Sequence, residues 1–232
     1  MPARSISVRN VSAFDIPDVE IQISKADVPL GSIKKIPNGT IPVEGITFQI
    51  FEGQYTKHIV DTIAVYDVNQ DEYIEYSSYE KPQFFNLYYS AEKSLLLSEA
   101  STPITKSFLK NLANQPDVTL EYQAYHFDFQ NISNRMPQTK GIRFSSEEPG
   151  VNNKSFSGDE VDINDESLVA LENDEATQLI GTLDIYNKSR TIMLTQSGTL
   201  VSFTSLIDLD PKIHKYPMVS FAVSTLMFVD MI

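Results

Sequence analysis

The chain carries three histidines, His58, His126 and His214, and no cysteine, so acid–base or nucleophilic chemistry near neutral pH would rest on these imidazoles and on carboxylates. No two of the histidines stand at a spacing that would turn both toward one metal ion from a single helix or turn. Each reads as a hydrogen-bonded or exposed side chain, and His126, between Tyr125 and Phe127, is expected to point away from the core. The absence of cysteine removes thiol nucleophiles, thiolate metal sites and disulfides together, which fits a reducing compartment. There is no Gly-x-Ser-x-Gly elbow, phosphate-binding glycine loop, dinucleotide fingerprint or His-Glu-x-x-His motif.

Carboxylates are the other reactive groups. The densest run is Asp159-Glu160-x-Asp162-x-Asn164-Asp165-Glu166, where mutual repulsion would be relieved by a divalent cation or a basic protein surface. A solvated loop is the plainer reading of the same residues. Asp67-x-Asn69-x-Asp71 resembles the opening of a calcium loop, but Glu72 stands where that loop needs glycine and Ser78 where it needs a closing glutamate. It is read as a solvated hairpin turn. The Pro-Asp dipeptides at Asp18 and Asp117 invite comparison with a metal-dependent nuclease, yet Gln22 and Gln123 occupy the places where such a site would carry lysine. No metal or cofactor is expected from these patterns.

The charge balance narrows the partners. Eighteen basic against thirty-one acidic residues give a net charge of −13, which repels a phosphate backbone and argues against direct nucleic-acid binding. Arg4, Arg9, Lys25, Lys34 and Lys35 leave the first 35 residues less acidic than the rest, a weak feature that reads as solvated surface. The N-terminus alternates polar and apolar residues without the apolar run of a secretion signal or membrane span, so a cytoplasmic, non-membrane protein is expected. Five Asn-x-Ser/Thr triplets, at Asn10, Asn38, Asn131, Asn153 and Asn187, then carry no glycans. Abundant Ile, Asn, Phe, Tyr and Ser with few Gly suggest an AT-rich coding sequence from a bacterium or a phage.

The elements that must position these groups are mostly strands. Val19 to Ser24 alternates with period two, as does Ile46 to Phe51, and Glu52-Gly53-Gln54 is read as a turn leading into a second run, Ile59 to Val68. Tyr73 to Tyr76, Phe84 to Tyr89 and Ser94 to Ser98 continue a meander. Phe84 to Tyr89 shows aromatic residues on both faces, which suits a central strand or a stacking surface. One helix is well marked over 103–113, with Thr102 as cap, Pro103 in the first turn and Ile104, Phe108, Leu109 and Leu112 on one stripe. Val118 to Gln123 reads as a strand, with a bulge near Ala124 explaining the opposite parity of Tyr125, Phe127 and Phe129.

Residues 131–165 turn polar, with only Gly141 to Phe144 strand-like, and Asn164 to Leu171 reads as a short helix capped by Asn164 or Asp165. Leu179 to Tyr186, Thr191 to Thr195 and Thr199 to Leu206 form a three-stranded meander. The tail, Pro217 to Ile232, is almost uncharged and must be buried in the core or against a partner.

The pattern predicts a strand-rich α+β protein with antiparallel sheets: an N-terminal domain over 1–130, a polar connection or long loop over 131–165, and a β-meander region over 166–232 that can pack on the first as one domain. The function it suggests is a non-enzymatic protein-interaction or scaffold subunit of a bacterial or phage assembly, with antiviral defence as one setting. Self-association or a protein partner is expected, through Asp159, Glu160, Asp162, Asp165 and Glu166 and through Phe221, Leu226 and Phe228 of the tail. Two alternatives stand beside it: an acidic inhibitor or nucleic-acid mimic for a basic protein cleft, and a metal-dependent, nuclease-like enzyme whose carboxylates are assembled by folding.

Overall fold

The computed structural model describes residues 3–209 and 214–232. The N-terminal reading above begins at residues 1 and 2, which lie outside them. Period-two alternation produces β1 (Arg4–Asp15), β2 (Ile21–Lys25), β3 (Val28–Val43), β4 (Ile46–Asp67), β5 (Glu72–Ser90) and β6 (Leu95–Ser98) before the first helix, α1 (Thr102–Leu112). There follow β7 (Thr119–Ala124), α2 (Phe129–Arg135), β8 (Gln138–Ser145), β9 (Asn153–Ser157), α3 (Asp165–Glu172), β10 (Ala176–Ile185), β11 (Lys188–Thr195), β12 (Thr199–Ser202) and α4 (Pro217–Phe228). The class is strand-rich α+β as the sequence suggests, with four α-helices among the described residues where one was well marked.

All twelve strands join one antiparallel sheet in the order β2-β3-β4-β5-β6-β1-β12-β11-β10-β8-β9, with β7 also paired to β1. Several hairpins close through two residues that both have positive φ, the turn whose twist matches the strands it connects. They are Ala26–Asp27, Glu44–Gly45 and Tyr186–Asn187, in which Asp27, Gly45 and Asn187 are the residue types that adopt the conformation most readily. β1 joins the two meanders. Along one edge it pairs with β6 through Ser7–Asn10, and along the other with β12 through Arg4–Ser7 and then β7 through Arg9–Asp15. The buried Arg9 guanidinium fastens this junction, its Nη1 donating to the carbonyls of Val8 at 2.7 Å and Ser197 at 2.8 Å.

Each face of the sheet has its own core. On one, Val11, Ile23, Ile33, Phe51, Leu87 and Leu96 meet the apolar stripe of α1, Ile104, Phe108, Leu109 and Leu112. On the other, Ile6, Val8, Phe48, Ile50, Leu179, Leu183 and Ile192 enclose α4, whose Val219, Phe221, Ala222, Val223 and Leu226 are all buried. A helix that is apolar nearly all round must be surrounded. α4 touches β1, β3 and β10, and because β3 and β10 lie far apart in the strand order, the sheet curls around it. The Tyr186 hydroxyl ties the curl together, 2.7 Å from Glu44 Oε1 and accepting from Ser224 Oγ of α4 at 2.7 Å.

Some segments differ from their sequence reading. Glu52-Gly53-Gln54 is no turn: β4 runs unbroken through it, and Gly53 is there because a Cβ would meet the Phe85 ring at 2.8 Å and Leu87 at 3.0 Å. Tyr73–Tyr76 and Phe84–Tyr89 are likewise one strand, β5. The parity switch after Ala124 marks the end of β7 rather than a bulge, and Phe129 opens α2, capped by the Asp128 carboxylate that accepts from the Asn131 amide at 2.9 Å. The polar stretch 131–165 contains most of α2, β8, β9 and a single 3₁₀ turn, Val161–Ile163, and is hydrogen-bonded into the sheet through β10.

One ion pair is structural. Arg190 of β11 is 0% exposed, and its guanidinium grips Asp208 with Nη2 to Oδ2 at 2.7 Å and Nη1 to Oδ1 at 3.3 Å. This hydrogen bonding holds the Asp208 carboxyl below its usual range. Asp208→Asn is expected to cost about 2 kcal/mol in urea unfolding, less than the ~3–5 of a fully enclosed pair because Asp208 is partly exposed. A depressed folded-state pKa stabilises above the unfolded value, so this contribution is lost as pH falls through about 4 and below. The variant should show a correspondingly shallower acid slope.

Candidate functional site

The groups that could carry chemistry are dispersed. His58 on β4 pairs with Glu80 on β5 at 2.7 Å, His126 lies 4.0 Å from Asp174, and His214 packs against the Tyr186 ring at a centroid distance of 4.4 Å. They sit on three separate parts of the fold, β4, the connection between β7 and α2, and the segment before α4, each with at most one carboxylate at ion-pair distance among the described residues. No group of three His, Cys, Asp or Glu side chains among the described residues is arranged to hold a metal. Asp67 accepts from the Asn69 amide at 2.8 Å and Asp71 from the Tyr66 hydroxyl, so the calcium-like stretch folds as a hairpin turn whose oxygens are engaged locally. The Asp71 carboxylate, as acceptor, pushes the Tyr66 phenol up. Asp18 pairs with Lys35 at 2.6 Å.

The acidic run spreads over a loop, the 3₁₀ turn and the first turn of α3. Asp159 accepts from Gln138 Nε2 at 2.7 Å, while Glu166 is bound by Lys154, which also pairs with Glu148 at 2.6 Å; the two carboxylates raise the lysine pKa. Glu160 and Asp165 are exposed and Asp162 is partly covered. Ile163 among them, 73% exposed, and Leu168 and Val169 just after them also face solvent, so the surface is mixed rather than purely acidic. In the tail, Phe221 and Leu226 are fully enclosed by this chain's own core and are out of reach of a partner, which corrects their placement as docking residues. Phe228 alone of the three reaches the surface.

The most exposed apolar surface lies on residues the sequence reading treated as ordinary strands. β4 loses its neighbour β3 after Tyr55, and β5 meets β6 only from Leu87 to Ser90, yet β4 and β5 stay paired to Asp67 and Glu72. Residues 56–82 therefore leave the body as a two-stranded arm of about 35 Å, at about 3.3 Å per residue. Neither core cluster contains any of them.

Register places side chains on the two faces of this arm. His58/Glu80, Val60/Ser78, Ile63/Tyr76 and Val65/Ile74 share one face; Lys57/Lys81, Ile59/Tyr79, Ala64/Glu75 and Tyr66/Tyr73 share the other. Val60 is 80% and Tyr73 71% exposed, and Val65, Tyr66 and Tyr76 are about half exposed. A lone hairpin in water is marginal at best, because each strand has one neighbour and no face is covered. Both free edges are blunted, β4 by a register shift between Val60 and Ile63, β5 by Pro82, which has no amide hydrogen to offer. The faces carry no such protection.

Two grooves flank the root. One, about 650 Å³, is lined by Val28, Leu30, Tyr55, Lys57, His58 and Glu80. The other, about 610 Å³, is lined by Lys34, Glu52, Gln54, Asn86, Glu99 and Phe84, the last 75% exposed. Of the aromatic run read as core or stacking surface, Tyr88 is thus in the core and Phe84 on the surface.

No family model matches the chain, and no curated protein resembles it.

In the sequence the arm shows only as the run Ile59 to Val68 and the short run Tyr73 to Tyr76 on either side of a polar break, and the polar residues from Ser77 to Gln83 hide the continuity of β5. Because the arm shares no core with the body, replacing residues 57–81 by an Asn-Gly turn should leave the midpoint of thermal unfolding within a few degrees of wild type. Gly53→Ala, by contrast, should cost about 1–2 kcal/mol in chemical denaturation, since its methyl group must displace the Phe85 ring and Leu87.

Proposed function

We propose that this protein is a non-enzymatic interaction subunit of a larger assembly, and that the β4–β5 arm is its docking element. The observation that carries the reading is the exposure of Val60, Val65, Tyr66, Tyr73 and Tyr76 on a hairpin that no other part of the described chain covers. Exposed apolar area on this scale marks a surface that is buried when the protein works. Aromatic residues supply large contact area at low entropic cost, and tyrosine in particular suits an interface that is wet before binding and dry after it. The dispersal of the histidines supports the non-enzymatic side of the proposal. A bacterial or phage assembly, in the cytoplasm, is the setting that composition suggests.

The acidic inhibitor reading has less behind it. Its carboxylates are partly neutralised by Lys154 and interleaved with Ile163, Leu168 and Val169, whereas a mimic of nucleic acid needs an uninterrupted anionic face.

The test is co-purification from the source cell with the full chain and with the chain in which an Asn-Gly turn replaces residues 57–81. Mass spectrometry should find proteins, this chain included, bound to the first and lost from the second. Retention of the same set by the shortened chain would overturn the assignment of docking to the arm.

A further inference from the structure

Parity along β5 puts Phe84, Asn86 and Tyr88 on one face of the sheet, and that face continues into the arm as His58/Glu80, Val60/Ser78, Ile63/Tyr76 and Val65/Ile74. Tyr88 enters the core around α4, but Phe84, Val60, Val65 and Tyr76 are uncovered, and Lys57 and Lys81 fall on the opposite face. At the foot of this face lies the groove of about 610 Å³. Asn86 stands in its middle, flanked by Glu52 of β4, its cross-strand partner, and by Glu99 just after β6, whose amide donates to the Asn86 carbonyl at 3.1 Å. The two carboxylates are thus two strand spacings, about 10 Å, apart at the backbone. Glu20 adds a third carboxylate and Lys34 is the one base of the lining, yet none of the four takes part in an ion pair among the described residues. Two groups here lack a counterpart. The Tyr88 hydroxyl is buried close to Asn86 and Glu99 and bonded to neither. Desolvation holds the Glu99 carboxyl above its usual range, against the pull of neighbouring dipoles and of the Arg4 charge. A cation relieves both, since the carboxylate then ionises fully and accepts more strongly from the hydroxyl beside it.

We infer that this groove receives an arginine side chain of the partner protein, its guanidinium lying on the Phe84 ring between Glu52 and Glu99, while the partner's apolar surface covers Val60 and Tyr76 farther along the same face. Resting on the docking role proposed above, this names the chemistry that the partner must present. The lining selects it. Three carboxylates face one amine, and the Asn86 amide already donates to Glu99 Oε2 at 3.3 Å, so the groove is rich in acceptors and poor in donors. A neutral polyol needs both, whereas a guanidinium brings five donors and no acceptor. Arginine suits the site better than lysine because its plane stacks on an aromatic ring while its edges fork onto carboxylates, and the Phe84 ring, 75% exposed, is open to such stacking. The net charge of −13 draws a basic partner toward the chain and opposes a second copy of it. An arginine seated here fixes the partner's position along a face whose valines and tyrosines supply area without direction.

The test is titration of the full, isotope-labelled chain at pH 7 with N-acetyl-arginine amide, and separately with N-acetyl-lysine amide, followed by the backbone amide resonances in NMR. The arginine compound should shift the amides of Glu52, Asn86 and Glu99 saturably, with a dissociation constant on the order of 1 mM for a ligand of that size. The lysine compound should bind about three-fold more weakly or worse. E52Q/E99Q should weaken arginine binding about ten-fold and F84A about three-fold. All three side chains are exposed, so folding, checked by circular dichroism, should be retained. Shifts that do not saturate, that fall outside the groove, or that are indifferent to these variants overturn the inference, and equal binding of the lysine compound overturns the choice of arginine. Co-purification separates this inference from the docking role beneath it. Partners lost from both the E52Q/E99Q chain and the chain without residues 57–81 support the two together. Partners kept by E52Q/E99Q but lost without the arm overturn the groove's part and leave the docking role standing, whereas partners kept without the arm overturn the docking role itself.

Discussion

The structure depends on β1. Among the described residues, strand Arg4–Asp15 is the link in the sheet order between the meander of β2 to β6 and that of β12 to β9, and its two edges are filled by segments far apart in sequence, Leu95–Ser98 and Thr199–Ser202. Arg9 and the Ser197 carbonyl it binds are 188 positions apart in sequence. Contacts so distant are reached late, because the entropy of closing the intervening chain is lost before the contact repays it. With β1 in place, the sheet is long enough to curl around α4, and the uncharged helix Pro217–Phe228 finds apolar neighbours on several sides. A core of that kind leaves β4 and β5 free to run past the body, since neither core cluster takes residues of β4 beyond Tyr55 or of β5 before Phe85.

The local chemistry of the chain was legible where a single rule acted alone. The stripe of α1, the Asn164 cap of α3 and the alternation of β10 and β11 are set by residues within a few positions of one another, and each element forms within a residue or a few of its sequence pattern. The rule failed where a distant neighbour decided. Gly53 looks like a turn until the Phe85 ring opposite explains its missing side chain. Phe127 and Phe129 look like strand residues until the Asp128 cap starts a helix that packs on β10 and α3. The polar stretch 131–165 looks like a linker because β9, at the sheet edge, needs few apolar residues.

The proposed docking surface was hidden for a related reason. The sequence reading looked for a partner site among charges and in the apolar tail, and the tail's Phe221 and Leu226 are consumed by the core. The arm residues alternate just as half-buried strand residues do, and only the three-dimensional pairing shows that no layer lies over them. Edge protection without face protection is the informative combination. A hairpin that guards its amides with Pro82 and a bulge, and yet exposes valines and tyrosines, resists indiscriminate strand addition while leaving its faces open, which is what the proposed docking role requires.

The central claim is that the arm is marginal by itself and becomes stable when its faces are covered. Hydrogen exchange read by mass spectrometry on peptides spanning residues 56–82 measures this directly, with β1 and β11 peptides as internal standards. In dilute solution the arm amides should exchange orders of magnitude faster than those of β1 and β11, and should slow toward them as concentration or partner is raised. Arm amides as protected as the central strands in the dilute chain would contradict the account.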